Sequence, residues 1–313
     1  MKKKFIPIAL AALLVPSAVL AQDTKGVVRT PAEARLVYPL LSQQMRLKVR
    51  TPQLPSASRF IAKAPEVTDP LKAGKAAQFW CNLIYKAGWN ETTYGPYGYY
   101  TMTAQKPVAF SVLASTGETI NVATNGVQAK NGHLYGAYLN MQYIDEGYVF
   151  LYLSNTDLST GETSSFDAGM DYLYLAATET AQAADGTVYG VFYSADGNSM
   201  EWGTVDYETC QRTTIGPASQ AFVAIGITKA GQLYAIGMDG KLYKVNKSTG
   251  EETLVGATGL TLTNLMGQYY GQSGEIDQRD DTFYWYCIDN QAQGGVYTVD
   301  LNTGKATLLD GTL

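Results

Sequence analysis

A turn, an aromatic strand, a second strand and a Thr-Gly turn recur in the same order four times along this chain. A repeated all-β unit leaves few architectures open, because each copy has an apolar face that only its neighbour can cover. The clearest copy runs Ala230-Gly231-Gln232-Leu233-Tyr234-Ala235, Lys241-Leu242-Tyr243-Lys244-Val245, Ser248-Thr249-Gly250-Glu251 and Thr253-Leu254-Val255-Gly256. Its aromatic-strand signature returns as Gly132-His133-Leu134-Tyr135, Gly186-Thr187-Val188-Tyr189 and Asp281-Thr282-Phe283-Tyr284, with Gly98-Tyr99-Tyr100-Thr101 as a degenerate earlier copy. The turn returns as Ser115-Thr116-Gly117-Glu118, Ser159-Thr160-Gly161-Glu162 and Asn302-Thr303-Gly304-Lys305, and in deviant form as Glu208-Thr209-Cys210-Gln211. Successive turns lie 40 to 54 residues apart, near the period of a four-stranded propeller blade.

The fourth unit shows the expected strand order. Residues 221–228 read as an inner strand, 232–238 as the second, 241–246 as the third and 252–255 as the outer one. Asp239-Gly240 and Thr249-Gly250 supply the hairpins. Composition agrees, since 23 tyrosines suit half-buried strands and 31 glycines supply tight turns. The fold expected is all-β, a β-propeller of four-stranded antiparallel blades. About five are visible, at 76–124, 125–168, 169–216, 217–257 and 258–313, either as a closed ring or as part of a six- to eight-bladed one. The ending Leu308-Leu309-Asp310-Gly311-Thr312-Leu313 matches Leu254 to Leu260, which precedes a new inner strand. Further modules of the same polypeptide are therefore expected as partners.

Residues 1–21 read as a signal peptide. Lys2, Lys3 and Lys4 precede the apolar run Phe5 to Leu20, with cleavage after Ala21. Residues 22–75 form a basic leader interrupted by Pro31, Pro39, Pro52, Pro55, Pro65 and Pro70, mostly extended, with at most a short helix between Ala32 and Val49. No membrane insertion is expected after cleavage, and export places the protein in the periplasm, at the cell surface or outside the cell. From Ala76 onward 24 acidic residues face 10 basic ones, a balance that repels phosphate backbones and excludes nucleic acid as a partner. Cys81, Cys210 and Cys287 have no metal-knuckle spacing and read as small hydrophobes with at most one bridge between them.

The run Tyr243 to Glu251, with Val299-Asp300-Leu301-Asn302-Thr303-Gly304-Lys305, resembles the blade hairpin of quinoprotein-like and YVTN-type bacterial propellers. The region Ala77 to Tyr85, leading to Tyr94-Gly95-Pro96-Tyr97-Gly98-Tyr99-Tyr100, is similar to the start of propeller modules in large secreted surface proteins of Gram-negative bacteria. The resemblance implies an exported, adhesin-like or scaffolding module. Trp80, Trp89, Trp202 and Trp285 occupy no common blade position, so the tryptophan-docking repeat is absent and no quinone or other cofactor is expected.

Catalytic constellations are few. His133, the single histidine, follows Asn131-Gly132 and reads as a turn residue, and Gly271-Gln272-Ser273-Gly274 is not a nucleophile elbow. Five-bladed glycosidases use paired acids on inner strands. Glu179, Glu275 and Asp277 fall at such positions, with Glu91 and Asp171 also within reach of the funnel. Asp277, Asp280 and Asp281 match no calcium-loop spacing and read as a solvated acidic loop, so no metal is expected. Tyrosine-rich loops compete for the functional reading: Tyr94, Tyr97 and Tyr99 in one, Tyr269 and Tyr270 in the other, rings beside Asn and Gln donors that suit sugar faces or peptide segments. The function expected is that of an exported non-catalytic binding or scaffolding module for a glycan or an extracellular protein. The alternatives are a glycoside hydrolase-like enzyme using the inner-strand carboxylates and a structural spacer.

Overall fold

The computed structural model describes residues 77–83, 97–117, 122–140, 150–160, 162–169, 173–194, 199–262, 272–289 and 294–311. The expected signal peptide and leader lie outside these residues. Four four-stranded antiparallel sheets follow one another along the chain. The first holds β4 (Val122–Lys130), β5 (His133–Asn140), β6 (Phe150–Asp157) and β7 (Thr163–Gly169). The second holds β8 (Ala177–Gln182), β9 (Val188–Tyr193), β10 (Met200–Asp206) and β11 (Gln211–Ala218). The third holds β12 (Phe222–Ile227), β13 (Leu233–Gly237), β14 (Lys241–Val245) and β15 (Glu252–Ala257). The fourth holds β16 (Ser273–Asp277), β17 (Thr282–Ile288), β18 (Gly294–Val299) and β19 (Ala306–Asp310). Each is a meander, and the first strand of each lies against the first strand of the next. This is a β-propeller, with the inner strands around a central channel.

A three-stranded sheet precedes these blades: β1 (Ala77–Leu83), β2 (Tyr97–Ala104) and β3 (Ala109–Gly117). It packs on the last blade, where Ala77, Met102 and Ala104 cover Val296 and the Phe79 ring lies 5.4 Å from Tyr284. The first sheet in sequence is thus the spatial neighbour of the last. Its strands do not sit where the sequence places them. Phe79 pairs with Met102 as Leu233 pairs with Val245, and Ala77-Gln78-Phe79-Trp80 aligns with Gly231-Gln232-Leu233-Tyr234. Hence β1, β2 and β3 take the second, third and outer positions, and Gly98 to Thr101 belongs to a third strand rather than a second. Ser115-Thr116-Gly117 is no turn either, because it closes the bulged outer strand β3. Among the described residues this sheet has no inner strand.

The core lies between blades. Leu151 and Leu153 meet Leu175, Phe192 and Val205; Val191 and Trp202 meet Phe222, Ile225 and Leu233; Ile236 and Leu242 meet Ile276, Phe283, Trp285 and Cys287. Each fully buried large side chain of this kind contributes about 1.5–3 kcal/mol. The Thr-Gly turns form part of the same junctions. A Cβ on Gly216 would lie 2.3 Å from Thr249 O of the next blade, and one on Gly256 would lie 2.1 Å from Thr303 O. Only glycine lets an outer strand approach the neighbouring turn so closely. The next residues along bond across the same gap, with Ala306 N donating to Thr258 O at 3.0 Å. In the deviant turn Cys210 keeps the left-handed conformation of its glycine counterparts, with φ 56° against 76° at Gly250 and 79° at Gly304.

Antiparallel order sorts the connections onto two faces. One face carries the short turns between first and second and between third and fourth strands. There Asp157, Asp206, Asn246 and Asp300 each accept an amide two residues on. At the opposite face lie the strand ends that bound the connections 84–96, 118–121, 141–149 and 258–272.

Candidate functional site

Two inner strands, β8 and β16, each carry a carboxylate at the hub. On β8 the ladder slips between Ala177 and Glu179, so Thr178 is an extra residue. Equivalent bulges fall at Asn125 on β4 and Val223 on β12. A bulge re-aims the side chain that follows it, and in β8 that side chain is Glu179. Its Oε1 accepts the Thr180 amide at 3.0 Å, and the Ser273 hydroxyl of β16 donates to the same carboxylate. Glu179 is 8% exposed. Burial pushes its carboxyl up to about 8, against the pull of the Thr180 and Ser273 donors.

Glu275, on β16, keeps some exposed surface, yet its carboxylate lies deep enough for burial to push it up to about 8 as well. The Ile276 amide donates to its Oε1 at 2.9 Å, the Glu179 charge raises it further, and the amides of Ile227 on β12 and Gln182 on β8 pull it down. Gln182, Ile227 and Ile276 hold the same register, each paired with the first or second residue of its second strand: Val188, Leu233 and Phe283. Their amides point to the channel, where an inner strand has no further strand to pair with. Glu275 accepts the Ile276 amide and feels the other two electrostatically. The fourth amide of this level, Ala129 N, donates to Gln182 Oε1 at 2.9 Å, and Gln182 Nε2 returns a bond to Ala129 O at 2.8 Å. Gln278 Nε2 donates to Gln182 O at 3.0 Å from the turn below. Polar groups therefore ring the hub.

Asp277 does not join the pair. Burial works to raise its carboxyl, but Arg279 outweighs it and holds the group below its ordinary value, with Nε donating to both carboxylate oxygens at 2.9 Å. A carboxylate fixed in that fork is a poor proton carrier. Asp280 and Asp281 serve the turn and its neighbour, accepting the Thr282 amide at 3.0 Å and the Lys229 amide at 2.7 Å. Among the described residues no cluster of three or more His, Cys, Asp or Glu side chains could hold a metal ion.

The other expected residues are dispersed. Tyr97 and Tyr99 are strand residues of β2, paired with Gly117 and Ala114, because the tyrosine-rich run continues straight into the ladder. Tyr94, Tyr269, Tyr270, Glu91 and Asp171 lie outside the described residues. His133 opens β5 rather than sitting in the turn, its Nδ1 2.8 Å from Asn155 Oδ1. Cys210 and Cys287 carry free thiols, and burial pushes Cys287 up to about 12. Sequence reading overlooked Gln182 and Ser273. Their signal was a polar side chain on an otherwise apolar inner strand.

No family model matches the sequence, and no curated protein does. Among solved structures, TolB from Acinetobacter baumannii is similar over 69% of this chain and 49% of its own, at 16% identity and a TM-score of 0.39. A Bacteroides thetaiotaomicron protein of unknown function is similar over 68% of this chain and 56% of its own, at 14% identity and 0.40. A Xanthomonas campestris gluconolactonase, XC5397, is similar over 68% of this chain and 69% of its own, at 9% identity and 0.39. The chain spans about half the length of the first two. The propeller itself rests on the sheet order given above.

Proposed function

We propose that the chain is an exported, non-catalytic β-propeller module that binds a glycan or an extracellular protein segment, or scaffolds one. The observation that carries this reading is the sorting of its connections. Residues 84–96, which include Tyr94, and 258–272, which include Tyr269 and Tyr270, begin and end on the same face, and they belong to the neighbouring first and last sheets. Short hydrogen-bonded turns occupy the other face. Tyrosine rings carried by such connections suit sugar faces and peptide segments. Export is supported by the signal-like leader, and among the described residues no helix is long and apolar enough to cross a membrane.

The carboxylates support the same reading from the other side. Glu275 accepts the Ile276 amide and Asp277 is held by Arg279, so two of the three acids have structural partners. The enzymatic reading keeps one observation in its favour: a buried carboxyl with a raised pKa is the form in which a general acid is stored. An array of glycans and extracellular proteins probed with residues 22–313 separates the two. Binding that is lost in Tyr94→Ser and Tyr269→Ser but kept in Glu179→Gln supports the module. Release of sugar product that stops in Glu179→Gln would overturn it.

A further inference from the structure

Gly216, Gly256 and Asp310 occupy the same place in three successive blades. Each is an outer-strand residue that directly follows a one-residue bulge and pairs with Trp202, Leu242 or Val296. At the two glycines a Cβ would collide with the next blade's turn, 2.3 Å from Thr249 O and 2.1 Å from Thr303 O. Asp310 has that Cβ and is 3% exposed. Its neighbour is the first sheet, and its Oδ2 accepts the Val108 amide at 2.8 Å across 202 positions of sequence. We propose that Asp310 is a side-chain latch between the last blade and the first sheet, standing in for the interlocked backbone of the Gly216 and Gly256 junctions, and that its release lets the first sheet part from the blades while they stay folded.

Val108 ends the connection from β2 to β3, the third and outer strands of the first sheet, so it stands where other blades have the Thr-Gly turn. In those turns Gly250 and Gly304 are buried against the preceding blade. Here Gln105, Lys106 and Pro107 are exposed, and only Val108 is drawn inward. A turn without the glycine cannot enter its neighbour's backbone, and a residue with a Cβ leaves it no room to do so. A carboxylate reaches further from the strand than a backbone carbonyl and bridges the wider gap. A buried amide deprived of its acceptor pays the full cost of desolvation, so this bond cannot be removed silently.

Apolar packing at this seam is modest. Among the described residues its core is Ala77, Met102, Ala104 and Val108 against Val296, whereas the second and third blades bury Trp202, Phe222, Ile225, Ile227 and Leu233 between them. Two of the first sheet's contributions are single methyl groups. Apolar stabilisation scales with the area covered, so more of this seam's hold falls to the bond at Asp310, and the first sheet is a unit that can open by itself. The strands that bound 84–96 belong to the first sheet, and β16, which follows 258–272, belongs to the last blade. On the binding reading given above, the latch also fixes the spacing from which those two connections start.

Hydrogen exchange of residues 22–313, read by mass spectrometry, tests the latch without reference to any ligand. In Asp310→Ala, peptides from 97–117 should exchange at least roughly tenfold faster, while peptides from 222–257 stay within about twofold of wild type. Asp310→Asn, which keeps an acceptor oxygen, should lose less protection than Asp310→Ala. Leu308→Ala, two residues away at a side chain 53% exposed, is the control and should change neither region. Unchanged protection of 97–117 in Asp310→Ala, or equal acceleration of both regions, would overturn the proposal. Should Asp310→Ala fail to fold, the wild type in graded urea below its unfolding transition decides. Its 97–117 peptides should open at lower urea than those of 222–257, and simultaneous opening of the two sinks the latch.

Discussion

Replacing Gly256 by alanine probes the junction between neighbouring blades with one methyl group. The new Cβ would lie 2.1 Å from Thr303 O and 3.0 Å from Thr303 C, both backbone atoms of the turn that closes the next blade. Ordinary contact begins near 3.4 Å, so turn and strand must separate by about 1 Å. Neither can yield by rotating a side chain. Gly304 sits against the Gly256 carbonyl with φ 79°, and Ala306 N bonds Thr258 O. Overpacking of this kind costs about 1–3 kcal/mol, and the rigidity of both partners puts this case at roughly 2–3 kcal/mol. For a domain of this size each kcal/mol lowers Tm by about 2–4 °C, so a fall of roughly 4–12 °C is expected by circular dichroism. Leu254→Ala, two residues away at a side chain 55% exposed, is the control and should stay within about 0.5 kcal/mol. A Gly256→Ala protein that melts within about 1 °C of wild type would refute the claim that this close approach holds the blades in place.

Three further outcomes are expected. Arg212→Ala should destabilise by about 3–5 kcal/mol in urea titration, because its buried guanidinium donates to Tyr174 O and Tyr193 O at 2.8 Å and pairs with Glu201. Cys287, fully buried with its thiol pushed up to about 12, should resist a thiol reagent at pH 8 until urea unfolds the protein, while Cys210 reacts first. Cys210→Val should cost about 1–2 kcal/mol and Cys210→Gly well under 1 kcal/mol, roughly, when the two are compared by thermal melts, since φ is 56° there.

How much the sequence disclosed depended on distance along the chain. Strands of the fourth unit follow the short apolar runs around Leu233, Ala235, Leu242 and Val245 and the hairpin at Asp239-Gly240, all local signals. The left-handed Cys210 could be inferred because it stood where the other turns have glycine. The first sheet misled for a local reason as well. Ser115-Thr116-Gly117 copies the turn motif, but β3 carries two bulges that absorb it into a strand. Glu179 and Glu275 stood out as acids on apolar strands. Their bonding did not, because Gln182, Ile227 and Ser273 approach from other blades. The pairing of Asp277 is the local exception, since Arg279 stands two residues on in the same turn. Gly216 and Gly256 look like ordinary strand glycines until the neighbouring blade is in place.

The unequal length of the crossings between blades has a consequence for how such a chain changes over generations. Residues 219–221 cross between two blades in three residues, whereas 258–272 make the next such crossing in fifteen. Both crossings leave the packing of Trp202 on Phe222 and of Ile236 on Phe283 to the strands themselves. Replacements on these crossings that spare Thr258 and Leu262, both buried, are therefore expected to cost far less than a single methyl at Gly256. A lineage built on this plan can exchange what it recognises many times without refolding anything, and its relatives will agree in their turns long after they disagree in their ligands.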